Sequence, residues 1–235
     1  TIARHTDEVC QALLTIATTL PLDDAQSAAL QTAARWHDAG KGHAVFQNAL
    51  PDGAPDGGNV LWAKSAGGLR RYERPHFRHE LASALAVLLA PAELVPDSRR
   101  DLSAYLVAAH HGKVRLSIRS LPNERRPADG EGRRFARGVW DGDQLPETDL
   151  GGGITAPGVD LTLEPMELGL CGQRPVAGQP SWAERMIRLR DALGPFRLAY
   201  LEAILRAADW RASQAAERHA AATDLNRAGR DEGGR

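Results

Sequence analysis

The run Trp36-His37-Asp38-Ala39-Gly40-Lys41 places an imidazole, a carboxylate and an ammonium side by side at the end of a segment that otherwise reads as a buried helix. Residues of the same kinds stand at comparable places elsewhere. His5 lies near the start of the chain, His79 opens an apolar helix, the pair His110-His111 closes another, and Asp209 interrupts an Ala-rich run. Such groups are costly in a core unless something neutralises and coordinates them, and a metal centre does both. Neutral imidazole and carboxylate without thiolate favour borderline first-row ions such as manganese, iron, cobalt, nickel or zinc. If all these groups converge, they exceed what one ion takes. Two ions bridged by Asp38 is then the natural solution, and ions about 3.5–4 Å apart clamp an in-line displacement at phosphorus.

The elements that must position these groups are helices. Thr6 to Leu20 suits a capped amphipathic helix, and Asp23-Asp24 start a second that carries Leu30, Ala33 and Trp36 inward and stops near Gly40. Residues 51 to 78 read as an irregular loop. A third helix, His79 to Ala90, is apolar on most sides and therefore central. A fourth, Arg99 to His110, stops at Gly112. From Lys113 to Pro180 the many Gly and Pro residues and short pieces such as FARGVW predict an insertion with a small hairpin or two. Helices return at Ser181 to Leu193 and from Phe196 to about Ala221. The expected fold is mainly α, a helical bundle with an irregular insertion (113–180) carrying a short β-hairpin. One domain spans 1–222, and 223–235 is expected to be a disordered tail.

The bulk properties exclude several classes. The chain has 235 residues with 29 basic and 30 acidic side chains, so no global field recruits nucleic acid and such a role needs local clustering. Cys10 and Cys171 are far apart, which argues against a thiolate site and fits a reducing, cytoplasmic setting. The longest apolar run, after Glu80, is too short and Ala-rich to span a bilayer, and no secretory h-region opens the chain, so no membrane partner is expected. Because the chain begins at Thr1, it reads as a piece of a longer polypeptide. Gly40-Lys41 lacks the spacing of a P-loop.

The order His5, His37-Asp38, His79, His110-His111, Asp209 resembles the HD phosphohydrolase superfamily. The WHDAGK run followed by Phe46-Gln47, the pair His110-His111 before Gly112-Lys113, and the ADWRAS run at 208–213 look more specifically like the HD nuclease domain of the CRISPR-associated helicase-nuclease of type I systems. These motifs cover roughly 1–112 and 181–214 and do not reach the insertion. The resemblance implies one ion held by His5, His37, Asp38 and Asp209, and another held by Asp38, His79, His110 and His111. The ions would be manganese, iron, nickel or cobalt, with magnesium a further option. It also implies that Lys41 faces the scissile phosphate, that Ser213 orients Asp209 or the substrate, and that Lys113 is a weaker phosphate contact. Single-stranded DNA would be the substrate, fed by a helicase domain in the same or a separate chain, in company with a guide-RNA surveillance complex.

Two basic stretches support a phosphate-tracking channel: Lys64, Arg70, Arg71, Arg74 and Arg78, and the run from Lys113 and Arg115 to Arg137. Tyr72, Phe77 and Phe135 stand within or beside them for base stacking. Ordinary solvated loops would show the same composition. His43 reads as a surface or supporting residue, His76 as a loop histidine and His219 as a solvated one. Two rivals use other logic. A hydrolase of nucleotides or other small phosphate esters would need an enclosed base pocket instead of an open basic groove, and a docking module without catalysis would carry no metal.

Overall fold

The computed structural model describes residues 1–51, 60–65, 68–128 and 132–232, with side chains described through His219. The PDGAPDGGN stretch therefore lies almost wholly outside the described residues. The helices are α1 (Ile2–Ala17), α2 (Asp24–Trp36), a short α3 (Ala44–Gln47), α4 (His79–Leu89), α5 (Asp97–Ala109), α6 (Trp182–Leu193) and α7 (Pro195–Glu232).

The first helix starts earlier than its T-D-E pattern suggests. The hydroxyl of Thr1 accepts a hydrogen bond from Arg4 N at 3.2 Å, so His5 sits inside α1 instead of ahead of it. Asp23 caps α2 by accepting from Gln26 N at 2.7 Å. The last helix continues past Ala221: its backbone is helical through Glu232, so 223–232, read from sequence as tail, are in helical register, and 233–235 lie outside the described residues.

α1 packs on α7 and α2, α2 on α5, and α5 on α4. The core is built from Leu13, Leu30, Leu81, Leu85, Leu106 and Leu205, all buried. It closes around the single-turn 3₁₀ helix Ala39–Gly42, a separate element where the sequence pattern predicts only the end of α2. Gly40 makes that turn possible. A Cβ there would collide with the carbonyl oxygen of His79 and lie 2.7 Å from Ser83 N. The bare backbone instead lets Gly40 N donate to Ser83 Oγ at 2.7 Å, locking the turn to α4.

The insertion is more ordered than its composition suggests. β1 (Phe135–Ala136) and β2 (Val139–Trp140) form one hairpin. A second excursion is nested, with β3 (Gln144–Leu145) pairing β6 (Val159–Asp160) outside β4 (Thr148–Asp149) pairing β5 (Thr155–Ala156). Leu145, Leu150, Leu161 and Leu163 bury this excursion against the bundle. Arg35 Nη1 donates to Leu150 O at 2.9 Å, tying its tip to α2.

Candidate metal centre

Four helix ends and one helix interior deliver the polar groups. His37 caps the C-terminus of α2, with Asp38 just beyond it at the start of the 3₁₀ turn. His79 opens α4, His110 caps the C-terminus of α5 with His111 following, His5 lies in the first turns of α1, and Asp209 projects from within α7. The α1–α7 packing brings His5 and Asp209 together across 204 positions of sequence, with His5 Nε2 3.1 Å from Asp209 Oδ1.

Asp38 is the hinge of the arrangement. Its Oδ2 lies 3.5 Å from His5 Nε2 and 3.4 Å from His37 Nε2, while its Oδ1 faces the other way, 3.3 Å from His79 Nε2. On one side His5, His37 and Asp209 each offer a ligand atom, all within 4.8 Å of one another; on the other side His79, His110 and His111 do the same. The rings of His79 and His111 are 5.0 Å apart, and those of His110 and His111 4.0 Å.

These donors fit divalent metal ions. The Nε2 atoms of His37, His79 and His110 are buried and make no hydrogen bond, a costly state for a polar nitrogen. The other ring nitrogens of His37 and His110 are engaged: Nδ1 of His37 donates to Ala34 O at 2.8 Å, and Nδ1 of His110 to Val107 O at 2.6 Å. That bond places the proton on Nδ1 and leaves a lone pair on Nε2, the tautomer a ligand needs.

The electrostatics agree with that state. Burial drives His79 down to about 4, with Asp38 opposing. Burial, reinforced by His111, holds His110 well below the usual histidine value, and burial also lowers His111. For His37, burial is outweighed by the Asp38 carboxylate, and its pKa is raised. Burial works against ionisation of Asp38, yet His37 and Lys41 hold its carboxyl well below the ordinary range. Asp209 is lowered too, its burial overcome by the hydrogen bond from His5 and by His37. The result is neutral imidazoles at His79, His110 and His111 beside ionised carboxylates at Asp38 and Asp209, the protonation pattern of a ligand set, while without an ion Asp38 draws His37 toward its charged form.

Lys41 is buried, and its ammonium donates to Asp38 Oδ2 at 2.7 Å, so in this structure it is tied to the carboxylate. Ser213, one turn beyond Asp209, accepts from the exposed Lys64 Nζ at 2.8 Å, a pairing that no spacing along the chain signals. Lys113 and Arg71 are exposed. Arg70 is exposed with its guanidinium on Pro51 O at 2.9 Å. Arg115 is bound to Glu202, its Nε donating to Oε2 at 2.9 Å, and Glu202 also takes the hydroxyl of Tyr105.

The basic channel expected from the two loops is thus partly internally paired. Arg74 sits 2.5 Å from Asp143, and Arg134 is 2.9 Å from Glu167. Phe77 is buried and unavailable for stacking, whereas Tyr72 and Phe135 are partly exposed. His43 is buried: its Nδ1 accepts from Val45 N at 3.1 Å, capping α3, and its Nε2 is 3.1 Å from Asp143 Oδ2. It pins the insertion to the loop carrying Asp38 and Lys41. No spacing rule could have supplied that contact, because its partner lies in the irregular segment.

The family model described as "Cas3, HD domain" covers residues 2–217, insertion included. No curated protein and no solved structure matches.

Proposed function

The chain belongs to the Cas3 HD-domain family, a metal-dependent nuclease domain of CRISPR systems, and from that premise we propose that it cuts single-stranded DNA at a centre holding two divalent ions. The observation that carries this reading is Asp38, whose two oxygens face opposite clusters, His5 and His37 on one side and His79 on the other. One ion would be held by His5, His37, Asp38 and Asp209, and the other by Asp38, His79, His110 and His111. Two divalent ions bound there would supply Lewis-acid charge at phosphorus and a water of lowered pKa.

The chain's own residues do the rest. The Nδ1 bonds to Ala34 O and Val107 O fix the orientation of the His37 and His110 rings, so the donors need little reorganisation to bind. Lys41 offsets the charge of Asp38, leaving the centre better able to accept an anionic diester. Lys64, held on Ser213 beside Asp209, and the exposed Lys113 and Arg71 offer cations to the flanking backbone phosphates. Manganese, iron, nickel and cobalt suit the N,O donor set, and magnesium would be held less well by so many imidazoles. A helicase motor, in the same chain or a separate one, and a guide-RNA surveillance complex would deliver the strand.

Purified protein loaded with Mn²⁺ is tested on a circular single-stranded DNA and on a panel of nucleotides. Linearisation of the circle is expected, because a site of this kind must admit a strand with no free end. Turnover of mononucleotides with the circle left intact would overturn the DNA reading in favour of a small-ester hydrolase.

A further inference from the structure

Of the buried imidazoles around Asp38, His37 and His110 have their Nδ1 proton received by the carbonyl three residues back in their own helices. Both cap helix C-termini, where carbonyls are left over. His79 stands at the opposite kind of end, the first residue of α4, where the surplus groups are N–H donors. Among the described residues no carbonyl accepts a hydrogen bond from its Nδ1. Instead, a carboxylate lies beside its Nδ1: Glu80 Oε2, at 3.8 Å.

Glu80 is itself an anomaly. Its side chain is 0% exposed, and neither of its oxygens makes a hydrogen bond. The ion pair it forms, with Arg78 Nε, is a loose 4.0 Å. A carboxylate kept in a dry core without hydrogen bonds is destabilising, so its presence in an otherwise apolar helix calls for a task.

We propose that Glu80 is the positioning residue for His79. A small rotation closes the gap to Nδ1–H, holds the ring in the tautomer with the lone pair on Nε2, and makes that nitrogen a stronger donor to the ion shared with His110 and His111. The pairing of a carboxylate with a ligating imidazole recurs at metal sites because it fixes both tautomer and ring direction. This inference rests on the ligand set proposed above. Within it, the two sides of Asp38 are oriented by different devices: a backbone carbonyl aligns His37 on one side, while on the other a carbonyl aligns His110 and a side chain aligns His79.

The test replaces Glu80 by Met, close in shape but with no acceptor, and by Gln, which keeps an acceptor oxygen without the charge. Chelated protein is titrated with Mn²⁺ by calorimetry, and the melting temperature of the chelated form is measured alongside. For Glu80→Met, the second ion is expected to bind about 10–100-fold more weakly, the first at wild-type affinity, while the chelated form melts no lower than wild type because an unsatisfied carboxylate has left the core. A merely structural role would move melting and affinity together. Glu80→Gln is expected to lose several-fold less affinity than the Met variant. If Glu80→Met takes up both ions with wild-type affinities, Glu80 does not position His79. Should the Met variant not fold, a Gln variant with unchanged affinity for the second ion overturns the proposal equally. Wild-type protein that binds fewer than two ions would instead remove the ligand set, and this inference with it.

Discussion

At the scale of single residues, Asp38 carries two demands that are separable by substitution. It faces imidazoles on both sides, and it neutralises Lys41, whose ammonium is buried 2.7 Å away. Asp38→Ala therefore does more than delete a ligand, because it leaves Lys41 buried without its carboxylate. Cleavage is expected to vanish, and the chelated protein is expected to lose about 3 kcal/mol or more of stability. The double substitution Asp38→Ala with Lys41→Met removes both charges and should recover much of that stability in a denaturant titration without recovering any cleavage. If the single variant is as stable as wild type, Lys41 has another partner and its charge does not depend on Asp38.

Residue identity was also the most legible layer of the sequence. His5, His37, Asp38, His79, His110, His111 and Asp209 are chemically out of place in apolar helices, and that misfit is visible without coordinates; the structure gathers all of them. What could not be read was the other half of each contact. That Arg115 would be held by Glu202, that Lys64 would reach Ser213, and that His43 would meet Asp143 depend on which helix or loop passes by, and single-sequence spacing carries no information on that.

At the scale of elements, helix existence was legible from periodicity while helix ends were not. α1 begins at Ile2 because Thr1 caps it, although the Thr6-Asp7-Glu8 pattern is the more obvious start. The 3₁₀ turn after α2 escaped because its logic is tertiary: Ala39–Gly42 is shaped by the approach of α4, whose Ser83 hydroxyl receives Gly40 N. That contact sets the separation of Asp38 from His79, so the interface between turn and helix is itself part of the site. Gly40→Ala is expected to push α4 away, costing roughly 3 kcal/mol as an overpacking lesion and weakening metal uptake on the His79 side most. Ser83→Ala removes only the hydrogen bond and should cost about 1 kcal/mol, leaving stoichiometry unchanged. Thermal melts with Mn²⁺ titration distinguish the two, and an Ala at 40 that binds both ions normally would show that the close approach is incidental.

The insertion illustrates the same limit at larger reach. Its two-residue strands have no usable periodicity, and its order comes from Leu145, Leu150, Leu161 and Leu163 seating on the bundle and from the His43–Asp143–Arg74 cluster. Asp143 is lowered in pKa, its burial outweighed by His43 and Arg74. Asp143→Ala leaves two basic groups around a missing carboxylate and is expected to cost about 3 kcal/mol. The lesion should loosen amide-exchange protection in the β1–β2 hairpin before it affects α4 or α5. Uniform loss of protection throughout the chain would mean that the insertion is not a separately opening unit.

At the scale of the whole molecule, collecting the site from six helical and turn elements has an acid-sensitive consequence. In the chelated protein His79 titrates at about 4, against a reference of 6.5, and His110 and His111 are lowered as well. As pH falls through 6.5 the unfolded chain takes up these protons while the folded chain refuses them, so the fold loses stability between pH 6.5 and 4. His79 alone accounts for on the order of 3 kcal/mol of that loss. His37 has the opposite sign: its raised pKa contributes stability that is present below 6.5 and lost as pH rises through the raised value. Asp38 and Asp209, lowered in the fold, keep their contribution down to ordinary carboxylate pH and lose it only below that. With three lowered imidazoles against one raised, chelated protein is expected to be less stable at pH 5 than at pH 7 in denaturant titrations. Bound Mn²⁺ should steepen the dependence, because protons and ions compete for the same nitrogens. Equal stability at the two pH values would mean that the imidazoles take up protons within the fold and that the centre is wetter than its burial indicates.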